Sequence, residues 1–432
     1  MTETSSGAGA GAATSGIGRQ QAVALGLLFL VSLFNYGDRF LISILIPPIK
    51  AEFGLSDTQV GVLTGIGFTL FYALMGIPIA SLADRTSRRA VIGWSLAAWS
   101  TLCAACGLVQ NFAQLLIARV LLGVGEAGAS PPSHALLAEI FPPHRRATAL
   151  GIYTLGAPAG LVVGFSLGGI LADAYGWRVV LFVFGVPGLI LAAAIFRWLP
   201  EPPRAASVDP LARPLLGPTL RALARIPTLW HVILASSTFS FAWVSVLTWA
   251  PAYFTRTFQM PLGQVGPQLA LVMGGSQFLA LLIAGLLVDR LSRIDRRWYM
   301  WFGGGVVVLA APFYALLFLA VTPGQAQGWL FAAFLLANMH TACALTVVQF
   351  VAGPNRRAVA SACYLFLVNI LSSLGPLVAG ALSDAWAAEL GTAALGRALL
   401  WVSVIFSVWC GLHGWLGGRS LPRDFAAADR AQ

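Results

Sequence analysis

The chain has 432 residues, of which 58% are hydrophobic and only 10% charged, and it carries 46 glycines and 14 tryptophans. Soluble domains average roughly 45–50% apolar and about 25% charged, so one globular core cannot bury this much apolar surface, which argues against a cytosolic enzyme and against a disordered chain. The net charge of +10 would point to nucleic acid if the cations clustered on one face, but they fall between hydrophobic runs and no nucleic-acid partner is expected.

A helix that spans a bilayer takes about 20 apolar residues, and twelve such runs follow one another. The first continues from Gln21 past Asn35 to Ile46. The Gly/Ala/Ser/Thr tail before it has no basic stretch and no small-residue cleavage site follows, so it reads as a retained helix rather than a signal peptide. The others fall near 58–82, 90–109, 112–140, 147–172, 177–199, 228–255, 265–288, 298–320, 327–352, 357–383 and 395–417. The long hydrophilic break at 200–226, rich in proline and arginine, suits a surface linker, with 215–226 as a short interfacial helix. The expected plan is an all-α membrane protein of twelve transmembrane helices. It has a tail at 1–20, six-helix bundles at 21–199 and 228–417, a linker at 200–227 and a second tail at 418–432.

Orientation follows from the cations, because cytoplasmic loops carry an excess of Lys and Arg. With both termini inside, 20 of the 26 basic residues lie on the inner side and only Lys50, Arg178, Arg256 and Arg397 on the outer, which leaves Arg39 and Arg119 within the membrane. Lys50 is the only lysine, and this arginine bias with abundant Ala and Gly suggests a GC-rich bacterial genome. The expected location is thus a bacterial inner membrane. All five cysteines lie in apolar runs, and the Cys103-x-x-Cys106 spacing has no further ligand near it, so neither a disulfide framework nor a metal site is expected.

The two halves echo each other. Leu82-Ala83-Asp84-Arg85-Thr86-Ser87-Arg88 returns as Leu287-Val288-Asp289-Arg290-Leu291-Ser292-Arg293 at an offset of 205; Pro143-His144-Arg145-Arg146-Ala147 returns as Pro354-Asn355-Arg356-Arg357-Ala358, and Gly169-Ile170-Leu171-Ala172-Asp173 as Gly380-Ala381-Leu382-Ser383-Asp384, both at 211. Transporters are commonly built from such repeats, and two repeats of six helices resemble the plan of the major facilitator superfamily. The 84–88 loop is similar to that superfamily's signature between its second and third helices, with Ala80 and Ser87 where glycines are usual. A carboxylate at a helix end can hold guanidinium groups of neighbouring helices, so Asp84, Arg85 and Arg88, with Asp289, Arg290 and Arg293 in the second half, are the expected inner-gate residues.

Narrower motifs follow: Asn35-Tyr36-Gly37-Asp38-Arg39, Arg119-Val120-Leu121-Leu122-Gly123-Val124-Gly125-Glu126-Ala127, Glu201-Pro202-Pro203-Arg204 and Trp249-Ala250-Pro251-Ala252. They resemble the spinster-like transporters over about residues 22–417, although the first two also occur in organic anion:cation symporters of the same superfamily. The resemblance implies alternating access, protons as co-substrates, and a lysolipid or sphingoid-phosphate type of cargo. The alternative it leaves open is proton-coupled symport of small organic anions such as hexuronates or aromatic acids.

An ionisable group inside a membrane helix is costly and marks a functional site by default. Asp38, Arg39, Arg119 and Glu126 are such groups. Helix direction places Asp38 and Arg119 at similar depth, with Glu126 two turns beyond Arg119 on the same face, about 10 Å deeper. Arg119 is therefore expected to be shared between two carboxylates. Burial and a neighbouring guanidinium pull a carboxyl's proton affinity in opposite directions, so exchange of partners would couple Asp38, Arg119 and Glu126 to protons. Arg39, rotated roughly 100° from Asp38, is expected to meet a phosphate or carboxylate headgroup or to make a contact between halves. The second half offers an uncharged wall with Trp243, Trp249, Tyr253, Asn338, His340, Gln349, Tyr364 and Asn369. Candidate substrate contacts are Arg39, Arg119, Trp249, Tyr253, Asn338, His340 and Asn369.

Gly156, Gly160, Gly164 and Gly168 repeat every four residues on one helix face, where they allow close helix packing. This seam is also expected to slide against a helix of the second half. No cofactor is expected, since a phosphate loop needs a lysine after its glycines and Lys50 is not so placed. A membrane enzyme would want clustered ligands, whereas the five histidines are scattered, and a receptor would want a soluble output domain. The expected partners are an amphiphilic or anionic small molecule, protons and membrane lipids, with the chain acting as a monomer.

Overall fold

The computed structural model describes residues 18–202, 216–353 and 356–430. Residues 203–215 of the 200–227 linker, Arg204 among them, and Pro354-Asn355 of the repeat fall outside these residues. The described part of the linker does contain a short helix, Leu216–Ala224.

Among the described residues every regular element is helical. The first half comprises α1 (Arg19–Phe53), α2 (Asp57–Thr64), α3 (Ile66–Arg85), α4 (Arg88–Cys106), α5 (Phe112–Glu126), α6 (Ser130–Ile140), α7 (Pro143–Thr154), α8 (Gly156–Tyr175) and α9 (Trp177–Trp198). After α10 (Leu216–Ala224) come α11 (Pro227–Phe258), α12 (Leu262–Ile294), α13 (Trp298–Phe318), α14 (Pro323–Asn338), α15 (Thr341–Ala352), α16 (Arg357–Leu390) and α17 (Ala394–Arg430). Ten segments are long and apolar enough to cross a membrane. One of them, Arg357–Ala428, holds both α16 and α17, parted at Gly391 in a positive-φ conformation. The 19-residue α4 stands outside those ten and packs on α5 and α9.

Several passages are interrupted halfway, and the sequence says why. Pro131 and Pro132 lack the N–H groups that would continue α5 into α6. Pro158 likewise cannot bond the carbonyl of Thr154, where α7 ends. Broken backbone at membrane depth is tolerated where protein or a cavity lines it, and the α7–α8 break lies on the cavity described below. Large apolar side chains face outward, with Leu271 75% and Leu286 69% exposed, as a lipid-facing surface requires.

Packing repeats between the halves: α1 lies on α8 and α4 on α9, while α11 lies on α16 and α13 on α17. The halves meet along α2–α16 and α8–α12. Glycine makes both seams possible. A Cβ on Gly61 would sit 2.6 Å from the Leu377 Cα, and one on Gly169 would sit 3.0 Å from the Gly266 Cα. Toward the other end, a Cβ on Gly76 of α3, Gly151 of α7 or Gly285 of α12 would meet nothing within 4 Å. The halves are thus closed at the end carrying Asp57 and parted at the end carrying Asp84 and Asp289.

Candidate functional site

Between the halves lies a cavity of about 600 Å³, with a largely apolar lining drawn from both. Tyr36, Arg39, Phe40 and Phe68 come from the first half; Phe239, Trp243, Leu247 and Phe278 form an aromatic and aliphatic wall opposite, with Asn338, Thr341, Asn369 and Ser372 as its polar points.

Arg39 is the cation on this lining. Its guanidinium lies 4.3 Å from the Tyr72 ring centre, 5.1 Å from Phe68 and 5.4 Å from Tyr36, a cage suited to a cation held out of water. Its Nη2 stands 3.5 Å from Glu126 Oε2, yet neither Nε nor Nη2 has a hydrogen-bond partner. Those two nitrogens are buried, while 22% of the side chain stays exposed where Arg39 lines the cavity.

Behind Arg39 sits the rest of the charge cluster. Glu126 is fully buried and ends α5. Asn35 Nδ2 donates to its Oε2 at 3.4 Å, while its Oε1 has no partner. Asp38, also buried, accepts from the Cys103 thiol at 3.6 Å and has Oδ2 unpaired. Arg119 is buried with its guanidinium 4.7 Å above Phe68. The structure corrects the expected pairing. Arg119 makes no ion pair with Asp38 or Glu126 within 4.0 Å, although both act on it electrostatically, and Glu126 is paired with Arg39 instead. Two helical turns separate Glu126 from Arg119 by about 10 Å along α5, whereas Arg39 reaches it across the interface of α1 and α5.

The structure separates the other candidate contacts. Asn338 and Asn369 line the cavity with Arg39; Arg119, Trp249, Tyr253 and His340 do not. Trp249 donates to the Pro376 carbonyl at 3.0 Å and Tyr253 to that of Leu317 at 3.2 Å. Both ring nitrogens of His340 are engaged, one with Ser236 Oγ at 2.9 Å and one with the Gly303 carbonyl at 3.0 Å. These three tie helices of the second half together in this conformation.

The glycine ladder also needs correction. Gly156, Gly160, Gly164 and Gly168 pack on α1 of the same half: a Cβ on Gly160 would lie 2.7 Å from the Gly37 nitrogen, and one on Gly168 2.6 Å from Leu41. The seam between halves runs one residue further round, through Gly169.

At the parted end, Arg88 pairs with Glu139 and lies 3.8 Å from the exposed Asp84. Glu201 accepts from Ser87 and stands 4.0 Å from Arg89, so Glu201 is tied to the start of α4. Asp289, Arg290 and Arg293 are exposed.

Sequence reasoning missed the closed end. Buried Asp57 receives both nitrogens of the Arg256 fork at 2.8 Å each, together with Lys50 and Ser383 Oγ at 2.6 Å. In return, Asp384 of the second half accepts from the backbone nitrogens of Asp57 and Thr58 at 2.9 and 2.7 Å and from Thr58 Oγ1 at 2.6 Å. A carboxylate there meets the positive end of α2. Part of the signal was present in the sequence: Lys50 and Arg256 are two of the few cations on their side, and Asp57, seven residues after Lys50, is an acid on that same side.

The comparisons with known proteins agree with this geometry. The sequence model described as Major Facilitator Superfamily matches residues 28–376. An MFS-type efflux pump of Mycolicibacterium smegmatis is 35% identical over 412 residues, covering 94% of each chain. Protein spinster homolog 1 of Bos taurus is 29% identical over 392 residues, 84% of this chain and 73% of that one. A hexuronate transporter of Bacillus subtilis is 26% identical over 373 residues, 83% and 86%. Among solved structures, a bacterial homolog to the human lysosomal transporter spinster, in an inward-facing and unoccupied conformation, matches with a TM-score of 0.84 at 26% identity, covering 95% of this chain and 99% of that one.

Proposed function

The chain belongs to the major facilitator superfamily and is a multi-pass membrane transporter with spinster-like relatives, and from that premise we propose that it moves an anionic amphiphile of lysolipid or sphingoid-phosphate type by proton-linked alternating access. The arginine distribution supports a cytoplasmic position for both termini. On that orientation the cavity opens inward, the Asp57 cluster seals the outer side, and the Asp84 and Asp289 loops form the inner gate when the halves rock.

One observation carries this reading. Arg39, with 22% of its side chain exposed, offers guanidinium donors on the wall of a cavity that is otherwise mostly apolar. An anionic head would take those donors by charge-assisted hydrogen bonds, with its chain along Phe239, Trp243 and Phe278. The head and the Glu126 carboxylate then compete for one guanidinium. A substrate that draws Arg39 away leaves Glu126 as a buried, unpaired carboxylate, a state relieved by taking up a proton. Substrate and proton binding thereby favour each other.

The second reading is symport of a small organic anion; it rests on the hexuronate-transporter relative and on Asn338, Thr341 and Asn369 at the cavity wall. Purified protein in liposomes, with and without an imposed pH gradient, decides between them. A lysophospholipid should be transported and Arg39→Ala, made in a Glu126→Gln background so that no carboxylate is stranded, should weaken its binding by about 10- to 100-fold. Uptake of a hexuronate with no lysolipid movement would give the second reading the site.

A further inference from the structure

On the outside of the second half, α13 and α17 enclose a groove of about 620 Å³ lined by Trp301, Gly305, Val308 and Leu309 on one helix and Gly411, Leu412 and Trp415 on the other. The helices run antiparallel here. A Cβ on Gly304 would lie 2.9 Å from the Gly414 Cα, so low numbers on α13 meet high numbers on α17. Trp301 and Trp415 consequently stand at the same end, as two posts, and the glycines beyond them leave a channel where side chains would otherwise project.

Cations cap that end, whereas the lining at the other end is wholly apolar. Arg419 lies one turn past Trp415, with its guanidinium 3.6 Å from the indole centre; it has no ion-pair partner within 4.0 Å among the described residues and is exposed. Arg297 precedes Trp301 by one turn, 5.8 Å from that ring, and is only loosely held by Asp295 at 3.8 Å. The groove spans nine residues of α13, from Trp301 to Leu309, a rise of about 12 Å, which accommodates about half of an acyl chain. Tryptophan belongs at the level of lipid headgroups, and basic pockets between membrane helices suit anionic ones.

We propose that this groove binds an anionic phospholipid, one acyl chain lying over Gly305 and Gly411 and the phosphate meeting Arg419 and Arg297. The site lies apart from the transport cavity and does not rest on the substrate assignment. The phosphodiester and the chain are both required, so free phosphate does not fill it.

Native mass spectrometry of the purified protein, titrated with phosphatidylglycerol and phosphatidylcholine of identical acyl chains, tests it. The wild type should retain the anionic lipid in preference. Arg297→Gln and Arg419→Gln should each lower that preference roughly fivefold, with thermal stability in phosphatidylcholine unchanged. Gly305→Leu fills the groove from a position where an added side chain meets nothing within 4 Å, so it should fold and should reduce retention of either lipid. Equal retention of the two lipids by the wild type overturns the proposal. So does an unaltered preference in the doubly substituted protein, or a doubled mass showing that a second copy occupies this face.

Discussion

The four charges at membrane depth show where residue-level reading succeeds and where it stops. Asp38, Arg39, Arg119 and Glu126 were legible because an ionisable group in an apolar helix is too costly to be kept without a role. Their pairing was not. Helix direction and the 1.5 Å rise fix depth, but which guanidinium reaches Glu126 depends on how α1 is rotated against α5 and on the long arginine side chain, and neither is written in the spacing. The same limit applies to His340 and Trp249, whose polar atoms are spent on neighbouring helices although their sequence positions admit a cavity role equally well. The Arg39–Glu126 pair makes a specific expectation. Glu126→Gln keeps the side chain's shape and removes its titration, so transport measured in liposomes between about pH 5.5 and 8.5 should lose its pH dependence while substrate binding stays measurable. A variant with the wild-type pH profile and rate would remove Glu126 from the proton path and leave Asp38 as the remaining candidate.

At the scale of helices, the apolar runs marked the passages well because hydropathy over about 20 residues averages out local detail. The breaks inside them were harder to see. Pro131, Pro132 and Pro158 stood within apolar stretches, and proline is common in membrane helices, so its presence alone does not say that a helix stops. The glycine ladder is instructive in the same way: period four identifies a face that packs closely but does not name the helix it packs on. The structure now separates two kinds of glycine on α8. Gly160 supports the first half from within, and Gly169 supports the junction with the second. Gly160→Ala should therefore overpack the α1 contact and cost about 1–3 kcal/mol of stability, read as a lower melting temperature in detergent. Gly169→Ala should leave the melting temperature nearer that of the wild type and slow transport, since its Cβ meets Gly266 only when the halves close. Equal loss of stability in both would make Gly169 another internal packing position.

For the whole molecule, the repeat gives two ends of like construction in opposite states. The α2–α16 and α8–α12 seams are tight near Asp57, and Gly76 of α3, Gly151 of α7 and Gly285 of α12 face open space toward the other end. A rocking transporter needs a bond that is strong when one end is closed and harmless when it opens. The Asp57 cluster has that character: Arg256 and Lys50 remain 23% and 28% exposed, so water can rehydrate them as the halves part, while Asp57 itself is buried only by the contact. Removing its charge leaves two facing cations without their carboxylate. Breaking a buried pair costs about 3 kcal/mol or more, and since each 1.4 kcal/mol is about tenfold, even half of that would redistribute the conformations. Asp57→Asn should thus shift the protein toward the state open at this end. Spin labels at Gln110 and Gln259 should report a longer distance, and labels at His144 and Ile294 a shorter one. Glu52→Gln is the control, because Glu52 binds Arg178 at 2.5 Å within one half and its loss should move neither distance. Unchanged distances in Asp57→Asn would reduce the cluster to a surface contact and place the closing energy in the glycine seams alone.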